Sequence, residues 1–196
     1  GVVATLRRGS GKSLGLRADM DALPIEETSG LSYTSTHRGV MHACGHDGHT
    51  TMLLAAARYL AQHSDFTGTL HLIFQPAEEG GGGARVMIED GLFERFPCDA
   101  VFAMHNVPGF PVGQLGFASG AFMCSADTVN ITLHGHGGHG AVPQHTVDPV
   151  VVCAAIVMSL QTIVSRNIDP QETAIVTVGA IQAGRAANVI PATATM

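Results

Sequence analysis

The sequence predicts an α/β protein, with a mostly parallel sheet flanked by helices and a smaller, partial ferredoxin-like α+β part behind it. Three observations carry that expectation. The composition is 45% hydrophobic and 13% charged, with 24 glycines in 196 residues, which describes a globular chain, not a disordered or fibrous one. Short apolar runs alternate with segments of helical period as far as Met104. Beyond residue 118 the order changes to strand, helix, strand, strand, the beginning of a ferredoxin-like unit.

Taken in order, Val2 to Leu6 reads as a strand. Gly9 to Ser13 reads as a hairpin turn, and a second strand runs from Ser13 to Arg17 and ends at Asp19-Met20-Asp21. Between Asp47 and Ala61, apolar residues at Met52, Leu53, Ala56, Ala57 and Leu60 have the spacing of an amphipathic helix. Thr69 to Phe74 is a buried-type strand, broken by Pro76 and Gly80 to Gly83. A short helix follows over Ala84 to Glu89, stopped near Gly91, and Ala100 to Met104 is another strand. This alternation suggests an open sheet with helices on its faces. Composition shifts near Gly116 to Gly120, so one domain is expected over 1–117 and a second over 118–196. In the second, Thr128 to Leu133 reads as a strand, Val147 to Val164 as a helix and Ala174 to Ile181 as a strand, with a fourth element opening at Ala192.

The formal charge of -6 argues against nucleic acid, which demands a basic footprint. Cys44, Cys98, Cys124 and Cys153 have no framework spacing and read as reduced thiols, which favours the cytoplasm. No signal peptide is visible. The longest apolar run, Pro149 to Met158, is too short to span a bilayer and is expected to be a well-buried helix, so no membrane partner is expected.

Chemistry concentrates in Met41-His42-Ala43-Cys44-Gly45-His46-Asp47-Gly48-His49, where a thiol, three imidazoles and a carboxylate share nine residues. Thiolate, imidazole and carboxylate are the ligand types of zinc-like divalent ions. Three apolar strands also end in ligand types: Asp19 and Asp21 after the second, Glu78 and Glu79 after the Thr69 strand, His105 after the Ala100 strand. In open α/β sheets sites form beyond the carboxyl ends of strands, so these segments are expected to converge. Cys44 and His46 precede a helix, whose positive end favours a thiolate. The bland alternative makes Cys44 a buried structural thiol and His46 a capping residue; convergence of Glu79 and His105 weighs against it. Glu78 and Glu79 resist joint ionisation, and a cation resolves this if one ligates while the other stays free as a base. Wedged between a buried strand and four glycines, the pair is not expected to be simply exposed. Glu79 as ligand and Glu78 as base is preferred, although spacing does not order them. His134, His136 and His139 lie in a glycine-rich loop without a thiol or carboxylate and read as structural or substrate-contacting imidazoles. A phosphate-binding loop at Gly9 to Ser13 fails for want of its first glycine, and no His-Glu-x-x-His helix or Gly-x-Ser-x-Gly elbow is present.

Arg17-Ala18-Asp19-Met20-Asp21-Ala22-Leu23-Pro24, the Met41 to His49 stretch, Gln75-Pro76-Ala77-Glu78-Glu79-Gly80 and His105 together resemble the hippurate hydrolase and N-acyl-amino-acid amidohydrolase branch of the dinuclear metallopeptidases. Plant indole-acetyl-amino-acid hydrolases and carboxypeptidase G belong to the same wider group. The resemblance runs along essentially the whole chain. It implies two divalent ions (zinc, manganese, cobalt or nickel), with Cys44 as bridging ligand and His46, Glu79 and His105 beside it. It also implies Glu78 as catalytic base and Asp21 as a residue that orients a ligand. In the same way His139, in Gly138-His139-Gly140-Ala141-Val142-Pro143, is expected to polarise the scissile carbonyl, and Asn188, in Gly184-Arg185-Ala186-Ala187-Asn188-Val189-Ile190-Pro191, to contact substrate. The second domain would be a lid and make a homodimer. A last metal ligand is expected beyond Met196, with both domains incomplete in this chain. The implied activity is amide hydrolysis of small N-acyl amino acids by metal-activated water. Its rivals are a dipeptidase, an N-acetyl-diaminopimelate deacetylase, or a non-catalytic fragment that binds metal or a partner.

Overall fold

The computed structural model describes residues 1–63 and 66–196. They gather into two compact units, Gly1–Leu115 and Gly116–Met196.

The first unit is built on a four-stranded sheet of β1 (Val2–Arg8), β2 (Ser13–Asp19), β3 (Gly68–Gln75) and β4 (Ala100–Ala103), in the order β1-β3-β2-β4. β2 lies parallel to both β3 and β4, while β1 runs antiparallel to β3. The turn from Gly9 to Lys12 is therefore not a hairpin: β3 is inserted between the strands it joins. That turn strides over the start of β3, where the Thr69 N–H donates to the Lys12 carbonyl at 2.9 Å. Local turn chemistry cannot reveal this, because a distant strand supplies the pairing. β3 is buried on both faces (Leu70, Leu72, Ile73, Phe74), as its unbroken apolar run requires. Helix α1 (His46–Gln62) packs Leu53 onto Ala18, Leu72 and Phe74, and Leu6, Leu16, Met20 and Ala57 surround that cluster. Two short helices, α2 (Gly83–Glu89) and α3 (Leu92–Arg95), connect β3 to β4; α3 carries no helical signal long enough to read from sequence.

Register fixes where the site lies. Asp19 is opposite Gln75, and Arg17 opposite Ala103. The carboxyl ends of β3, β2 and β4 thus finish side by side, and the residues that follow them emerge at one rim of the sheet.

In the second unit, β5 (Thr132–His134), β9 (Thr193–Thr195) and β7 (Gln182–Ala183) form a sheet in the order β5-β9-β7, both pairings antiparallel. Helix α4 (Pro149–Asn167) lies between β5 and β7 in the chain, the split β-α-β arrangement. A ribbon of β6 (Gly138–His139) and β8 (Val189–Ile190) stands beside it. One strand is shorter than the sequence predicts and another does not form over its predicted range. The first begins only at Thr132. Residues 174–181 join no ladder, although Ala174, Val176 and Val178 are half-buried in alternation; alternation says which side chains turn inward, not whether a backbone partner is present. Helix α4 is also not the well-buried helix expected. Its inward stripe is Pro149, Cys153, Ile156, Val157, Leu160 and Val164, the i, i+3, i+4 pattern of a one-sided contact. Three short strands cover no more than that face, and Val150, Val151, Val152, Met158 and Ile163 remain exposed. At 19 residues α4 is long and apolar enough to cross a membrane by length and composition.

Candidate metal centre

The site is assembled at the strand ends of the first unit. The loop from Pro24 to Val40 is clasped on itself: Glu26 accepts the Gly39 N–H, Glu27 accepts the Ser35 N–H, and Leu23 bridges Met41. That closure delivers Cys44 to the start of α1. The helix begins from Gly45 at φ 81°, a conformation that favours glycine. A Cβ there would also run into the Asn106 amide, so two separate demands select glycine.

His46 is 1% exposed. Its Nδ1 lies 3.2 Å from Asp21 Oδ1. With the ring proton donated there, Nε2 presents a lone pair into the site. That atom is buried and has no hydrogen-bond partner among the described residues; Asp19 Oδ2 and Glu79 Oε1 each stand 3.8 Å away. A buried, unpartnered nitrogen facing carboxylates is what a bound cation would satisfy. The Cys44 Sγ lies 3.4 Å from His105 Nε2. Three groups of potential ligand atoms within 4.8 Å of one another occur here: Cys44, His46 and His105; Asp19, His46 and His49; and His46, Glu78 and Glu79. The donor set of thiol, imidazole and carboxylate fits a zinc-like divalent ion.

Electrostatics favour a cation. Burial works against ionised Asp21, but the backbone N–H groups of Glu79 and Glu78 and the His46 ring outweigh it and hold the carboxyl below its usual range. Asp19 is also held low, with burial opposed by the His49 hydrogen bond and by Arg17. The Cys44 thiol differs from expectation. Burial pushes it up to about 11, helped by Glu79, Glu78 and Asp19, so the metal-free group is a thiol and not the thiolate expected at a helix start. A divalent ion reverses that balance. Glu78 and Glu79 are exposed rather than wedged in, because Ala77 at φ 52° turns the chain out of β3. Gly83 donates back to the Ala77 carbonyl at 3.0 Å and approaches Pro76 too closely for any side chain. Glu79 still faces the site, with its N–H donated to Asp21 Oδ2 at 3.0 Å.

Residues 15–195 match the profile of Peptidase family M20/M25/M40. The chain belongs to that family. Among relatives of this M20 chain is hippurate hydrolase of Campylobacter jejuni, 53% identical over all of the chain and 51% of the relative. An N-acetyl-L-cysteine deacetylase of Bacillus subtilis is 48% identical over 93% of the chain and 44% of that protein. The crystal structure of Bacillus subtilis YXEP protein, described as a dinuclear metal binding peptidase from the M20 family, superposes with a TM-score of 0.63 at 35% identity, over 98% of the chain and 48% of that structure. The M20 chain thus spans about half the length of the curated relatives it matches.

Of the residues singled out in the sequence, Asp21, Cys44, His46, Glu78, Glu79 and His105 meet at one rim of this M20 sheet. His139 and Asn188 belong to the second unit. There the Gly140 N–H donates to the Asn188 carbonyl at 2.8 Å and His139 pairs with Val189, so the two motifs form one ribbon. His63 is an ordinary surface residue beside Tyr59. His49, 2% exposed, and Asn106, which it contacts, stand in the segments that the sequence marks as ligand-rich but carry no expected role of their own. The available signal was the i, i+3 spacing of His49 from His46, which puts both on one helix face.

Proposed function

We propose that the protein is a metal-dependent amidohydrolase that cleaves the amide bond of N-acyl amino acids. The observation that carries this reading is the bare, buried Nε2 of His46 facing Glu79, beside the Cys44–His105 pair. Cys44, His46, Glu79 and His105 would hold two divalent ions, chosen among zinc, manganese, cobalt and nickel. The dinuclear description of a 35% identical neighbour supports the number. When bound, such ions would lower the pKa of a coordinated water toward neutrality and polarise a carbonyl.

The protein's own groups do the rest. Asp21 sets the His46 tautomer and ties down the Glu78–Glu79 turn. Glu78, the carboxylate left free, accepts the proton of the attacking water and returns it to the leaving amine. His139 is assigned to polarisation of the scissile carbonyl and Asn188 to substrate contact. Domain roles follow the same reading: residues 1–117 for metal binding and catalysis, 118–196 as lid and homodimer surface. The exposed apolar side chains of α4 support the dimer surface. Four free cysteines support a reducing, cytoplasmic location.

The names of the relatives leave two acyl classes in view, aromatic as in hippurate and acetyl as in the deacetylases. The test is release of free amino acid by the full-length protein from a panel of benzoyl- and acetyl-amino acids. Release that stops with a chelator and returns with added metal supports the proposal. No release from any member of the panel overturns it.

A further inference from the structure

We propose that His49 is a positioning residue: a non-ligating imidazole spacer that sets the placement of His46 and His105 around the metals. This rests on the metal reading above. The His49 ring packs against both of the others, so that the three centroids form a triangle. Its centroid is 5.4 Å from that of His46, nearly stacked at 29°, and 4.5 Å from that of His105, edge-on at 70°. The two outer rings are 6.3 Å apart and almost perpendicular at 82°. Each of the two outer rings therefore has the face or edge of His49 as a packing wall.

Both nitrogens of that ring are already occupied. Nδ1 meets Asp19 Oδ1 at 2.5 Å. Nε2 accepts the Asn106 backbone N–H at 3.0 Å; the Asn106 side-chain oxygen lies 2.9 Å from the same nitrogen but does not donate to it. Asp19 is itself anchored: its other oxygen receives Arg17 Nη1 at 2.8 Å, and Arg17 Nε donates to Gln75 Oε1 at 2.8 Å. The chain of contacts ties the ends of β3, β2 and β4 to the first turn of α1. Asn106 neighbours His105, whose Nδ1 meets the Asn106 carbonyl at 2.6 Å, so the same residue grips the spacer and a ligand. The space for its amide against the helix is the space that Gly45 leaves. A histidine with both nitrogens spent, 2% exposed and packed against two candidate ligand rings serves geometry rather than coordination. Such supporting contacts are worth about 10- to 100-fold in metal affinity.

The rival is that His49 ligates together with Asp19 and His46, which stand within ligating reach of one another. Cobalt titration of the full-length protein separates the two, because the Cys44 thiolate gives bound cobalt an absorption band that reports ligand geometry. His49→Phe keeps a ring and removes both nitrogens. The expected result is two cobalt equivalents at saturation, affinity lowered about 10- to 100-fold, and a displaced thiolate-to-cobalt band. Loss of one equivalent at saturation makes His49 a ligand and overturns the proposal. Wild-type affinity and an unshifted band overturn it as well. If His49→Phe does not fold, Asn106→Ala removes one grip only: a weaker change of the same kind is expected, and an unshifted band there overturns the spacer. Wild-type protein that takes up no cobalt defeats the metal reading itself, whereas normal uptake with an indifferent His49→Phe defeats only this inference.

Discussion

Cys44 and Glu78 differ in what each can do without a cation. The Cys44 thiol, pushed up to about 11 by burial and by its carboxylate neighbours, holds its proton at neutral pH, and ionises only if a metal compensates those charges. Cys44→Ser is therefore expected to lower the metal content of the full-length protein in elemental analysis; content equal to wild type would remove the residue from the site. Glu78 is exposed and ends no strand ladder, so little structure depends on its charge. Glu78→Gln is expected to reduce turnover by about 10²- to 10⁴-fold while bound metal stays near its wild-type level. Equal loss of metal would exchange the roles of Glu78 and Glu79. The two readouts separate a base from a ligand, which adjacency in the sequence cannot do.

At the scale of elements, the start of α1 and the β1–β3 pairing each carry a test. Gly45 at φ 81° meets the Asn106 amide. Gly45→Ala combines a left-handed backbone, about 1–3 kcal/mol for a residue with a Cβ, with that clash, so thermal unfolding should move to a lower temperature by more than backbone strain alone implies. In β3, His71 is 5% exposed, sits opposite Thr5 and meets its Oγ1 at 2.9 Å. Burial pushes this imidazole below its usual value, and the Arg7 charge adds to that. The folded protein thus binds fewer protons here than the unfolded chain. Its stabilising contribution is complete above the unfolded value of about 6.5 and falls as pH drops below it. His71→Leu should lose less thermal stability between pH 7 and pH 5 than wild type; parallel losses would show that other groups set the acid sensitivity. These two elements also show what sequence makes legible. Strand β3 and helix α1 are plain, since an unbroken apolar run and a 3.6 period are local properties. The place of β3 between β1 and β2 is not, because it depends on which strands pair across more than fifty residues. The candidate ligands are legible as residue types at strand ends. The Asp19–His49–Asn106 contacts, spanning 30 and 57 positions, are legible only once the strands are side by side.

For the whole molecule, the chain divides into two compact units, and the segment between β4 and β5 is where it does so. From Val107 to Asn130 it has no helix or strand, and every residue is exposed, the condition under which a protease can bind backbone without first unfolding it. Phe110, Phe117 and Phe122 are all well exposed there. Elsewhere in the first unit the large exposed aromatics are held: Tyr59 is inside α1, Phe93 in α3, Phe102 in β4, and Tyr33 lies in the loop that Glu26 and Glu27 clasp. Phe110 precedes Pro111 and is not a chymotrypsin site, so brief treatment of this chain is expected to cut first after Phe117 or Phe122, giving two persistent fragments by mass spectrometry. Trypsin is the control, since no Lys or Arg lies between Arg95 and Arg166 and it should leave that segment whole. First cuts within α1 or β3 would mean that the first unit opens more readily than the segment beside it. Its core of Ala18, Leu53, Leu72 and Phe74 would then be too weak to hold His46 and Glu79 in register.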